Sequence, residues 1–141
     1  MKKMMVMFWI AGLFTATQAR AQDFDLQGSW KTIEKEVAIT EIKFGAQDSL
    51  RMLMHKEWFG GKDFKNNGSP ANLTYKADFN FNPARLDIII YETETKNTST
   101  VRGLIMILKP GVIKIALNLS NGERPKDFTR SNSGVFKKET P

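Results

Sequence analysis

Few side chains in this 141-residue chain are equipped for acid–base or nucleophilic work. His55 is the only histidine, with Glu57 two positions on and Asp63 eight on, so the one proton-transfer unit on offer is an imidazole oriented by a carboxylate. Nothing in the sequence marks a nucleophile for it, and the alternation of Leu50 to Trp58 puts His55 on the wetter face of its strand, where it reads as a surface residue. One histidine cannot make a two-histidine metal site, and the absence of cysteine removes zinc clusters, thiol nucleophiles and haem attachment together. The carboxylate pairs Glu34/Glu36 and Glu92/Glu94, each two apart, share a strand face and read as solvated surface. No catalytic residue, metal ligand or cofactor is therefore assigned, and an enzyme is not expected.

The chain instead carries an address. Lys2 and Lys3 precede an apolar run from Met4 to Phe14, and Ala19-Arg20-Ala21 closes the segment, which is the n-region, h-region and A-x-A order of a cleaved export signal over residues 1–21. The run is about half the roughly 20 residues a spanning helix needs, so no transmembrane anchor is expected in the mature chain of residues 22–141. Lys2, Lys3 and Arg20 account for half of the formal charge of +6, leaving +3 on the domain. That balance argues against nucleic acid as a partner, even though Arg51, Lys56 and Trp58 interleave on one stretch. An exported domain without disulfides must be held by packing, and its aromatic residues supply the material.

From Gln27 onward the hydrophobic period is two, with glycine, asparagine and proline at short intervals, which predicts an all-β domain. Strands are expected at about 28–36, 37–44, 50–58, 73–81, 85–91, 100–108, 112–119 and 134–139, with a bulge near Thr40 where the apolar parity switches. Residues 59–71 read as the longest loop, and Lys109-Pro110-Gly111 as a tight turn. Eight strands joined in chain order form a meander. Closure of such a meander removes its exposed edges, so the expected fold is an antiparallel up-and-down barrel.

Gly28-Ser29-Trp30 on the first strand resembles the G-x-W signature of lipocalins. The wider run of Asp25 to Lys31, Asn82-Pro83, Val101 to Ile105, Glu123 to Phe128 and Val135 to Lys138 is similar in order to a family of lipocalin-like bacterial exported domains with an "LQGTW" start, an "RPxxF" loop and an "LKR"-type end. The match covers essentially the whole mature chain, departing at residues 59–71 and at the second lysine of the closing motif, where the family tends to have arginine. The resemblance implies a lipocalin-like barrel in which Trp30, of the signature that begins at Gly28, seals the closed end and a basic residue, Lys137 or Lys138, lies over the indole. It implies no settled activity. Of the "RPxxF" residues, Pro125 is expected to end a strand, Phe128 to plug a barrel mouth and Arg124 to pair with a carboxylate such as Asp127.

An eight-stranded barrel is just wide enough to be filled by side chains or to hold one small ligand. The expected inward positions are Met52, Met54, Tyr75, Phe79, Ile88, Ile90 and Ile105, and the two methionines suit a deformable apolar pocket. The opposite parity leaves Ile89, Tyr91, Leu104, Met106 and Leu108 facing out, an apolar strip of the kind that meets a second subunit or an envelope partner. Two functions follow: an exported carrier of a small apolar or amphipathic molecule, periplasmic or secreted, or a filled barrel acting as an interaction or inhibitor module.

Overall fold

A computed structural model describes residues 24–140; the expected export signal, 1–21, lies outside the described residues. The strands are β1 (Gly28–Thr32), β2 (Ile39–Phe44), β3 (Leu50–Met54), β4 (Glu57–Phe59), β5 (Lys65–Asn66), β6 (Ser69–Asp78), β7 (Ala84–Glu92), β8 (Thr98–Lys109), β9 (Val112–Leu117) and β10 (Ser133–Lys138). All pair antiparallel in the order β4-β3-β2-β1-β10-β9-β8-β7-β6-β5. Chain neighbours are sheet neighbours except for β4 and β5, which stand at the two ends of the order, and β10 pairs with both β9 and β1, joining first strand to last. The sheet curls until Ser49, at the foot of β3, bridges to Thr74 of β6. The result is an up-and-down barrel of lipocalin-like form, with the short β4 and β5 flanking that seam.

Two departures from the expected strands come from turns. Leu50 to Trp58 is not one strand: His55 and Lys56, with φ of 50° and 66°, form a two-residue hairpin turn between β3 and β4. Two successive left-handed residues match the right-handed twist of the flanking strands. Asn67 and Gly68 do the same inside the expected loop, creating β5 and starting β6 at Ser69. The expected bulge is present, as a register shift between Ile39 and Glu41 opposite β3.

Inner positions of the wall converge on Trp30, Ile42, Leu50, Leu86, Ile88, Ile105 and Ile113, all fully buried. Ile88, paired with Val101, and Ile105, paired with Ala84 and Ile115, are 1% and 0% exposed and belong to this packed core.

The outer face is covered in one place. Leu104 and Ala116 are cross-strand partners at outward positions, yet they are 5% and 0% exposed. Residues 118–132, between β9 and β10, cross there. Arg124 donates from Nη1 to the Gly103 carbonyl at 2.8 Å and pairs from Nη2 with Asp87 Oδ1 at 2.7 Å, while Arg102 donates to the Gly122 carbonyl. This strap corrects four expectations, the first being that Pro125 ends a strand: it lies within the connection, eight residues past the end of β9 at Leu117. Leu104 is buried beneath the strap rather than part of an open strip; Arg124 pairs with Asp87 on β7, not with Asp127; and Phe128 lies on the outside, 5.6 Å from Lys114 Nζ, rather than in a barrel mouth. Ile89 and Asp87 are half-buried, and the exposed apolar residues of β8 are Met106, Ile107 and Leu108 near its far end. Tyr91, at the other end of the strip, is 38% exposed.

Candidate functional site: two clefts at opposite ends of the barrel

Trp30 organises the first end. Its indole Nε1 donates to the Leu26 carbonyl at 2.8 Å, so the segment ahead of β1 folds across the barrel base, and no part of the ring reaches solvent. Trp30 and Lys138 are cross-strand partners, and Lys138 Nζ stands 5.5 Å from the ring centroid. The cation over the indole is therefore Lys138; Lys137 has the opposite parity and is exposed, opposite Lys31. Gly28 makes room for it. With φ of +128°, a Cβ there would be strained and would sit 3.0 Å from Lys138 Cε.

Beside this base lies a cleft of about 620 Å³. Phe24 to Gln27 form one wall, Gln47 and Asp48 of the β2–β3 connection a second, and Tyr75, Ala77 and Phe79 the third. Phe24 tilts against both Trp30 and Phe79, at centroid distances of 6.3 and 5.9 Å, and Tyr75 meets Phe44 edge to face at 4.7 Å. Burial, reinforced by the charges of Asp48 and Asp25, raises the pKa of the Tyr75 hydroxyl above its ordinary 10.0. The fold thus favours the neutral phenol. The stability this contributes is complete below about pH 10 and is lost as the pH rises through the raised value. In urea titrations across that window, Tyr75→Phe should lose less stability than the parent; identical pH profiles would place the phenol in solvent.

The second cleft, of about 280 Å³, is at the opposite end of the barrel. Ile42, Ile115, Leu117 and Phe136 form its buried floor, and Ile39 packs against them. The bulge explains how Ile39 and Ile42, of opposite parity, both reach this interior. Ala38 and Leu119 stand at the lip, with Glu36, Arg130, Ser131 and Asn132 supplying a polar rim. The lip of this mouth is built from the β1–β2 connection and the end of the strap.

The expected cavity residues are brought to the inner side of the wall but not to one space. Met52, Ile88 and Ile105 are in the packed core, Ile90 is against it, Met54 is half-buried opposite Ile39, and Tyr75 and Phe79 line the base cleft. Sequence reasoning missed the mouth because its floor comes from β2, β9 and β10, where inward parity alone gives no sign of an opening. His55 lies in the β3–β4 turn and is exposed. Among the described residues no three histidine, cysteine or acidic side chains are placed to hold a metal ion, and no helix is long and apolar enough to cross a membrane.

The fold and its two clefts define an all-β barrel of lipocalin-like form. In comparison with known proteins the chain matches no family model, no curated protein and no solved structure.

Proposed function

We propose that this chain is an exported lipocalin-like protein that binds a small apolar or amphipathic molecule in the mouth opposite Trp30. The observation that carries this reading is the dry floor of Ile42, Ile115, Leu117 and Phe136 left open under a polar rim. Ligand sites are mostly apolar concavities with a few polar groups at defined positions, and this one has that make-up. Its volume of about 280 Å³ is at the lower limit for such sites, so the guest is small or leaves its polar end in the rim beside Arg130 and Asn132. The guest rests on this buried floor, beneath the polar rim.

The test is a titration with N-phenyl-1-naphthylamine, a neutral dye that brightens in apolar surroundings. The mature protein should bind it saturably, and Ala38→Trp, which places an indole across an exposed lip without touching the core, should weaken binding about tenfold, the equivalent of ~1.4 kcal/mol. An unchanged affinity in the variant, or no saturable binding by the parent, would remove this site.

A further inference from the structure

The base cleft is chemically unlike the mouth. Three aromatic rings, Phe24, Tyr75 and Phe79, line it together with two carboxylates, Asp25 and Asp48. The rings are fixed: Phe24 is held between Trp30 and Phe79, and Tyr75 against Phe44. Neither carboxylate is in an ion pair among the described residues, whose pairs are Lys31–Glu139, Lys43–Glu41 and Arg124–Asp87. Asp25 is oriented by accepting the Gln27 backbone N–H at 2.9 Å. Lys76 is the one cationic residue of the lining; it lies between Tyr75 and Ala77 in β6, is exposed, and therefore stands at the outer lip rather than on the inner wall.

Aromatic faces carry negative quadrupole potential, and carboxylates nearby add to it, so a concavity built from both is selective for a cation with an apolar surface. A metal ion is a poor occupant, because it requires several oxygen ligands converging at short range, and no such group is present among the described residues. A bulky ammonium, whose methyl or methylene groups spread its charge, suits rings and carboxylates that are not converging on one point.

We propose that the cleft formed by Phe24, Tyr75, Phe79, Asp25 and Asp48 is a binding site for an organic ammonium ion, separate from the mouth. The rings contact the alkyl surface of the cation and the carboxylates supply its counter-charge. The volume of about 620 Å³ leaves space for a substituent beyond the ammonium head.

Benzyltrimethylammonium is the probe, with neopentylbenzene, its uncharged isostere, as control, each followed by chemical shifts in two-dimensional NMR of the mature protein. Saturable binding of the cation in the millimolar range or tighter is expected, with shifts centred on Phe24, Tyr75 and Phe79. The isostere should bind at least about fivefold more weakly, since it keeps the shape and loses the charge. Asp25→Asn with Asp48→Asn preserves shape and hydrogen-bonding capacity and should weaken the cation about tenfold, and Lys76→Gln should tighten it about twofold at low salt. Equal affinity for cation and isostere, indifference to the double substitution, or no saturable shifts would each overturn the proposal. Because Ala38→Trp blocks only the far end, it should leave ammonium binding unchanged, so the two sites stand or fall separately.

Discussion

Replacing Trp30 with alanine should destabilise the barrel by about 3–5 kcal/mol in urea unfolding, the cost of emptying a fully packed aromatic site. Every atom of the indole is out of water, and its loss removes three things together. It opens a cavity against the core. It takes away the surface on which Lys138 Nζ lies at 5.5 Å and Phe24 packs at 6.3 Å. It also deprives the Leu26 carbonyl of its 2.8 Å donor. A domain of this size is stable by only about 5–15 kcal/mol, so much of the protein should fail to accumulate folded. Trp30→Phe separates the contributions: it keeps most of the volume and leaves the Leu26 carbonyl unpaired, for a loss of about 1–3 kcal/mol. A loss below about 1 kcal/mol in the alanine variant would mean that the ring is not the seal of this end.

Gly103→Ala is expected to have the sign opposite to strand propensity. Glycine inside a strand ordinarily weakens it, and adding a methyl group there would be a gain on a propensity scale. In β8, however, Gly103 is paired to Leu86 on one side and Leu117 on the other. A Cβ would press on the Ala116 carbonyl oxygen and come within 2.6 Å of Leu117 Cδ2. The first obstacle is backbone in the neighbouring strand, so it does not swing aside. Overpacking of this kind costs about 2–3 kcal/mol. Moving β8 would also displace the Gly103 carbonyl that accepts from Arg124, so the strap should loosen, read as faster proteolysis within residues 118–132. Unaltered stability and unaltered cleavage would show that β8 and β9 shift apart freely at this point.

The mouth and the base cleft differ in what disturbs them, which makes the functional tests independent of these stability tests. The mouth floor is core, so Ile115 or Phe136 cannot be altered without destabilising the barrel, whereas Ala38 at the lip is exposed and free to change. At the base, Asp25 and Asp48 are exposed and amide replacements keep their shape.

The sequence by itself determined the class of fold. Alternation in Leu73 to Phe79 and in Leu86 to Ile90 reports a sheet with one dry face, and Gly28 before Trp30 marked the strand that the others close around. The bulge near Thr40 was legible because two apolar parities meet there, and the turn at Pro110-Gly111 because both residues restrict or release φ in a known way. The hairpin at His55-Lys56 was not legible, since it lacks the glycine, asparagine or aspartate that signals such a turn and the pairing of Leu53 with Trp58 selects it.

Tertiary structure alone decided the rest. Period two assigns a side chain to a face but not to a height along the barrel axis, so it could not separate Ile113 in the packed core from Ile115, two residues along the same strand, beneath an open mouth. Nor does it assign a partner: whether Lys137 or Lys138 covers Trp30 depends on the register of β10 against β1, and a shift of one residue exchanges them. Arg124 reaches Asp87 across 37 positions of chain, and Leu104 is buried although its parity faces out, because the strap returns over β7, β8 and β9. Local pattern is fixed by neighbours one or two residues away. Closure, register and cover are fixed by contacts between residues far apart in the chain, and those contacts decide where the two clefts lie.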